Sequence, residues 1–329
     1  MVRSLILALT TLSAGLAACA TQQPAFAPEV LEASVGDYIV ACGERLHVGA
    51  PVVLWTDSNG YSAYETDLHF DRPPSTTKTP AVGELRYAPG RTDRRTGEVL
   101  VEPEGDLLAL QQALELFVLH YDVCGVSQTC FKVLHDRRGL SVHFMIDVDG
   151  TIYQTLDLRD TGWHARQAND RSVGVEIAQI GAYPLNEKGD ATLDRWYEPG
   201  PDGVRLTLPK PPRELGVRTA RFEGFAARDH IVRGGIHGQA LQQYDYTPEQ
   251  YDSLVRLTAT LCRHFPNLPA EAPRDTRGAI LKRRIPEDEE ADFQGLVGHF
   301  HVGGHKIDPG PAFDWEPFLA RVKTRLLRP

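Results

Sequence analysis

The chain has 329 residues, 42% hydrophobic and 24% charged, enough for one large domain or a domain with extensions. A formal net charge of −9 and a pI near 5.7 give no sign of a nucleic-acid binder, which needs a basic face. No internal repeat is visible, and beyond the first residues no run is long and apolar enough to span a bilayer.

The N-terminus carries the first local signal. Arg3 precedes an apolar run from Leu5 to Leu12, too short for a permanent span and shaped like the core of a signal peptide. Leu16-Ala17-Ala18-Cys19 follows and resembles a bacterial lipobox, which makes Cys19 the lipidated first residue of the mature protein. Residues 1–19 are therefore expected to be a lipoprotein signal peptide. Ala20 is not the aspartate that retains some lipoproteins at the inner membrane. The expected location is the cell envelope, with the protein lipid-anchored to the outer membrane and facing the periplasm. Export permits disulfides. Cys42, Cys124, Cys130 and Cys262 remain; Cys124 and Cys130 bracket a short loop, and sequence does not fix the connectivity.

Residues 20–105 read as a tether followed by an N-terminal extension of a few strands or irregular elements packed on the main domain. The main domain, 106–329, opens with a short helix at Leu107 to Gln112. Leu116-Phe117-Val118-Leu119 is a buried strand by its unbroken apolar character, and it ends in His120-Tyr121-Asp122. Val133 to Arg138 fits a helix, and Val142 to Ile146 a second strand, turned by Asp149-Gly150 into Thr151-Ile152-Tyr153-Gln154. Ser172 to Ile177 is another strand. Residues 183–245, rich in Pro, Gly and Arg, read as a long insertion. Thr247-Pro248-Glu249-Gln250 then caps a helix whose apolar face is Tyr251, Leu254, Leu257, Thr258 and Leu261. A charged loop, Glu271 to Glu290, and a last helix from Asp314 complete the chain. Strands alternating with helices predict an α/β domain around a mixed central sheet.

Three segments place metal-binding side chains at element ends: His120 after a buried strand, His299 after Leu296-Val297-Gly298, and Asp308 in a Pro/Gly-rich turn nine positions later. Two histidines and a carboxylate are the donor set of a catalytic zinc site with a fourth position open to water. His301 and His305 lie close in sequence and compete for the same role.

Segments spread over residues 117–318 resemble the zinc amidase family that contains bacterial cell-wall amidases and animal peptidoglycan-recognition proteins. The motifs are Phe117-Val118-Leu119-His120-Tyr121, Gly139-Leu140-Ser141-Val142-His143-Phe144, Gly162-Trp163-His164-Ala165, Ser172-Val173-Gly174-Val175-Glu176, and Lys306-Ile307-Asp308-Pro309-Gly310-Pro311-Ala312-Phe313-Asp314-Trp315. The resemblance implies N-acetylmuramoyl-L-alanine amidase activity on peptidoglycan or muropeptides, in cell-wall turnover. It implies zinc held by His120, His299 and Asp308, Glu176 as acid/base and Lys306 as the cation facing the oxyanion. Val173, Val175 and Ile177 alternate with Gly174 and Glu176, which sets the glutamate on the face opposite the core. Trp163, His164 and Asn169 are the implied substrate wall, and His143 a structural histidine. A Cys124–Cys130 disulfide is implied by the same comparison. The insertion at 183–245 departs from the family, whose members are usually shorter there. Some relatives bind peptidoglycan without cutting it, usually after losing a metal ligand; here His120, His299, Asp308 and Glu176 are all present.

Overall fold

A computed structural model describes residues 36–70 and 83–328. Cys19 and the rest of the leader and tether lie outside the described residues. Seven strands form one mixed sheet, in the order Gly36–Ala41, Glu44–Leu54, Ile152–Gln154, Phe144–Ile146, Ser172–Ile177, Leu116–Tyr121, Gly295–Gly298. The strands from Phe144, Ser172, Leu116 and Gly295 run parallel to one another, as a buried sheet between helices requires.

One face of this sheet is the main core. Phe117, Leu119, Phe144, Ile146, Val173, Val175 and Ile177 point to it. Against them lie the helices Pro248–His264 and Trp315–Leu326. The first of these begins as its sequence demands. Thr247 accepts from the Gln250 N–H and Gln250 answers to the Thr247 N–H. Its face Tyr251, Leu254, Leu257, Thr258 and Leu261 is fully buried. Each leucine there contributes about 1.5–3 kcal/mol of burial. Among the described residues no helix is long and apolar enough to cross a membrane.

The segment before residue 106 departs from expectation. Its strands Gly36–Ala41 and Glu44–Leu54 do not pack on the domain; they continue its sheet, with Val52, Val53 and Leu54 in parallel register with Ile152, Tyr153 and Gln154. The reason is a period-two pattern. Leu46, Val48, Ala50 and Val52 are buried while His47, Gly49 and Pro51 are exposed. Two arginines of the same segment are buried in the fold. The Arg91 guanidinium donates to the carbonyls of Leu158 at 2.7 Å and Ser172 at 2.9 Å. Burial pushes Arg91 down to about 10, so it is still charged at neutral pH. Arg86 donates to carbonyls of Glu84 and His135.

Between Val126 and Gly139 the chain is a short α-turn, Ser127–Phe131, running into a π-helical segment, Lys132–Arg138, ended by Gly139 in the left-handed region. The insertion is structured. Strands Tyr183–Pro184, Gln239–Gln243 and Val232–Ile236 form a small sheet. With the hairpin Tyr197–Gly200/Gly203–Leu206 they enclose a satellite core of Ile180, Leu193, Tyr197, Val204, Ala226 and Tyr244.

Candidate active site

The site lies at the C-terminal ends of the central parallel strands, on the face turned away from the main core. His120 and Glu176 are direct partners on neighbouring parallel strands, so their side chains leave the sheet on the same side. A strand ending at Gly298 delivers His299, and the turn after Lys306 delivers Asp308. The donor atoms of His120, His299 and Asp308 lie within 4.8 Å of one another. His120 Nδ1 is 2.9 Å from His299 Nδ1 and 3.0 Å from Asp308 Oδ2; His299 Nδ1 is 2.9 Å from the same oxygen. Three electron-rich atoms this close repel unless a cation sits among them. Ligand bonds of about 2.0–2.1 Å set tetrahedral donors about 3.3 Å apart, close to the spacing here. The donor set therefore fits zinc.

The protonation pattern suits that role. Burial and the neighbouring His299 push His120 down to about 4, leaving a neutral imidazole. Its outer nitrogen, Nε2, faces His164 Nδ1 at 3.1 Å, the outer-shell contact that aims a ligating imidazole. Burial opposes ionisation of Asp308, but His299 and the hydrogen bonds of both histidines hold its carboxyl well below the usual range.

Glu176 faces the same cleft, a space of about 150 Å³ also lined by Tyr121, Cys124, Arg138, Trp163 and Lys306. One carboxylate oxygen, Oε2, is buried without a hydrogen-bond partner. Burial, with Asp308 and Asp122 nearby, raises this carboxyl well above the ordinary value. A perturbed, unpartnered acid beside a metal-type donor set in a cleft is the pattern of a proton-transfer group. Lys306 is half-buried and lines the same cleft.

The other residues singled out by sequence divide in two. Trp163 and His164 line the cleft. A Cβ at Gly174 would meet His164 Nδ1 at 2.5 Å, so glycine there makes room for that ring. Asn169 is buried, and its carbonyl oxygen accepts from the backbone N–H groups of His164 and Ala165. It shapes the wall through the loop it holds. His143 is buried in a structural role, accepting from the Gly174 N–H and facing the Asp160 carbonyl. His301 has both nitrogens engaged, Nδ1 with the Gly298 N–H and Nε2 with the Leu281 carbonyl, and it points away from the donor cluster. His305 is exposed on the rim of the neighbouring hollow. Cys124 and Cys130, the pair for which the family resemblance implied a disulfide, stand as neighbouring thiols in the loop after His120. Cys130 is buried within hydrogen-bond reach of Cys124.

Sequence reasoning missed two supports. Asp122 takes the N–H groups of Cys124, Gly125 and Gln179 on one oxygen and so ties down the loop after His120. Its adjacency to His120 was the available signal. Gln243, at the end of the insertion, clasps the Asp308 turn. Its amide nitrogen donates to Pro309 O at 3.2 Å and its oxygen accepts from Ala312 N–H at 3.0 Å. Tyr246 donates to the same Pro309 carbonyl at 2.6 Å. Gly310 must be glycine, with φ +87° and a would-be Cβ 2.1 Å from Gln243 Oε1. We expect Gln243→Leu to weaken zinc binding by about 10–100-fold, the usual effect of losing an outer-shell partner. Chelator competition measures it, and an unchanged affinity would show that the clasp does not position Asp308.

The family model described as N-acetylmuramoyl-L-alanine amidase matches residues 110–311. No curated protein sequence matches the chain. Among solved structures, the chain is similar to the N-acetylmuramyl-L-alanine amidase AmiD from E. coli, in complex with anhydro-N-acetylmuramic acid-L-Ala-D-gamma-Glu-L-Lys. That match has 15% identity and a TM-score of 0.35 over 64% of this chain, and it spans only 57% of the AmiD chain. It is also similar to a selenomethionine derivative of AmpD, at 17% identity and a TM-score of 0.31, over 72% of this chain and 90% of that one. A third is the endolysin amidase LysCS from Clostridium intestinale URNW, at 16% identity and 0.32, over 65% and 86%. The family match takes in His120, Glu176, His299 and Asp308 and covers more than half of the sequence, so the chain belongs to the N-acetylmuramoyl-L-alanine amidase family.

Proposed function

We propose that this protein is a zinc-dependent amidase that hydrolyses the bond between N-acetylmuramic acid and L-alanine in peptidoglycan or its muropeptides, in cell-wall turnover. The observation that carries the reading is the meeting of His120, His299 and Asp308 with the unpartnered Glu176 carboxyl in one cleft. Zinc held by the three donors would supply Lewis acidity, activating water and polarising the scissile carbonyl. Glu176 Oε2 takes the proton that water loses as its oxygen bonds to the lactyl carbonyl carbon. It then delivers that proton to the alanine nitrogen as the C–N bond breaks. The Lys306 ammonium faces the carbonyl oxygen and stabilises the charge that develops there. Trp163 offers an aromatic face to the sugar. A receptor that binds without cutting is the alternative, and the complete donor set together with Glu176 favours the enzyme.

Digestion of purified sacculi by the mature protein tests the reading by mass spectrometry. Free stem peptides beginning with L-alanine are expected; fragments cut at any other bond overturn it.

We further propose that Cys19 carries a lipid anchoring the protein to the outer membrane, facing the periplasm. The lipobox-like sequence Leu16-Ala17-Ala18-Cys19 supports this. Cys19→Ser is expected to abolish lipid labelling and release the protein from the membrane fraction or leave it unprocessed. An unchanged membrane fraction would refute the anchor.

A further inference from the structure

The helices Pro248–His264 and Trp315–Leu326 cover the main-core face of the sheet, and the catalytic cleft opens on the other face. Their outer surface carries a hollow of about 350 Å³ whose charge is at odds with the chain. Against a net charge of −9, it is lined by Arg256, Arg321, Arg325 and Arg328 and by one acid among the described residues, Asp252. Asp252 accepts from Arg256 at 2.7 Å and from Arg321 at 3.1 Å. Arg325 and Arg328, with Arg263 beside them, are in no ion pair with a described residue. Arg263 donates instead to the Arg325 and Arg328 carbonyls, at 3.2 and 3.1 Å. Burial and the nearby Arg256, Arg263 and Arg328 hold the Arg325 guanidinium below its ordinary value. Leu327, between Arg325 and Arg328 in the chain, is 86% exposed. Cations crowded in this way repel one another and raise the local concentration of anions.

The arginines also grip the part of the fold that the leader enters. Arg256 donates to the Gly49 carbonyl at 2.7 Å, and Arg325 to that of Val48 at 3.4 Å. Both carbonyls belong to the strand Glu44–Leu54, whose Val52 pairs with Gly36, the first described residue. Residues 20–35, sixteen in all, join Gly36 to Cys19. Fully extended, a chain of that length reaches at most ~55 Å. A lipid on Cys19 therefore keeps this face within reach of the bilayer that holds it.

We propose that this arginine face docks on the anionic lipid headgroups of the membrane to which the protein is anchored. Its part in orienting the domain rests on the lipid-anchor reading of Cys19. A guanidinium fork matches a lipid phosphate in geometry as well as charge. Leu327 meets the headgroup layer beside the cations, and the basic residues add attraction to anionic lipid. Docked by its two outer helices, the domain turns the catalytic cleft away from the membrane and toward the cell wall.

The test is co-sedimentation of the mature chain, made lipid-free by Cys19→Ser, with vesicles of phosphatidylethanolamine alone or mixed with phosphatidylglycerol. The protein should partition onto the mixed vesicles in preference to the neutral ones, and less so at high salt. Arg321→Ala and Arg328→Ala, both at exposed positions, should each lower that partitioning about fivefold, the effect of one arginine near an anionic surface. Arg221→Ala, an equal charge change in the insertion, should leave it unchanged. Melting temperature and turnover of soluble muropeptides should be the same in every variant, which separates a docking role from a structural or catalytic one. Equal partitioning onto both kinds of vesicle, or Arg321→Ala and Arg328→Ala indistinguishable from the parent, overturns the docking face. Loss of sacculus binding in those two variants with vesicle binding intact assigns the face to the wall polymer and overturns it as well. A preference for anionic vesicles without lipid labelling at Cys19 upholds the face and overturns the anchor instead.

Discussion

Glu176→Gln is expected to lower turnover on the order of 10³-fold, since a positioned general acid–base group is typically worth about 10²–10⁴-fold. Zinc content and muropeptide affinity should survive, because the carboxylate belongs to neither the His120–His299–Asp308 cluster nor the neighbouring hollow that Trp163 also lines. The fold should survive as well. Glu176 Oε2 is buried with no partner, so replacing it breaks no hydrogen bond. Thermal melting should therefore show no loss of stability while kcat collapses. A variant with unimpaired kcat would remove Glu176 from the mechanism, and one without zinc would make it a ligand.

The second large effect is expected at the metal. Zinc at about 100 times its Kd stabilises a native protein by about 2.7 kcal/mol. At about 2–4 °C per kcal/mol, that raises Tm by roughly 5–10 °C. His120→Ala, His299→Ala and Asp308→Ala should each lose this shift and the bound zinc. His301→Ala provides the contrast. It leaves the Gly298 N–H and the Leu281 carbonyl unpaired in the interior, so it should cost about 1–3 kcal/mol in stability yet keep one zinc per chain. Metal analysis with calorimetry separates the two behaviours. Zinc retained in His299→Ala but lost in His301→Ala would reverse the assignment within that segment.

Much of this arrangement is legible in the sequence because it follows local periodicity. The unbroken apolar run at Leu116–Leu119 announces a parallel strand buried on both faces, and His120 marks its functional end. The alternation of Val173, Val175 and Ile177 places Glu176 on the cleft face, as the core contacts show. The cap at Thr247 and Gln250 fixes the start of the helix Pro248–His264. The supports are illegible for the opposite reason. Arg91 and Gln243 act on backbone groups far away in the chain, Ser172 and Pro309 among them, and a carbonyl leaves no mark on the residue types around it. The strand Glu44–Leu54 lies between these cases. Leu46, Val48, Ala50 and Val52 do alternate with exposed positions, but Gly49 and Pro51 disguise the strand.

The membership of Glu44–Leu54 in the central sheet bears on how the chain is made. Val52 finds its partner in Ile152, which a ribosome adds much later. The chain leaves a ribosome or an export channel N-terminus first, so Val52 emerges well ahead of that partner. Until then the first two strands have only each other, and a lone two-stranded hairpin is marginal in water. Leu46, Val48 and Val52 face no core until the rest of the sheet arrives. These two strands are thus sheltered late, and in that interval the chain is most open to pairing with the wrong strand.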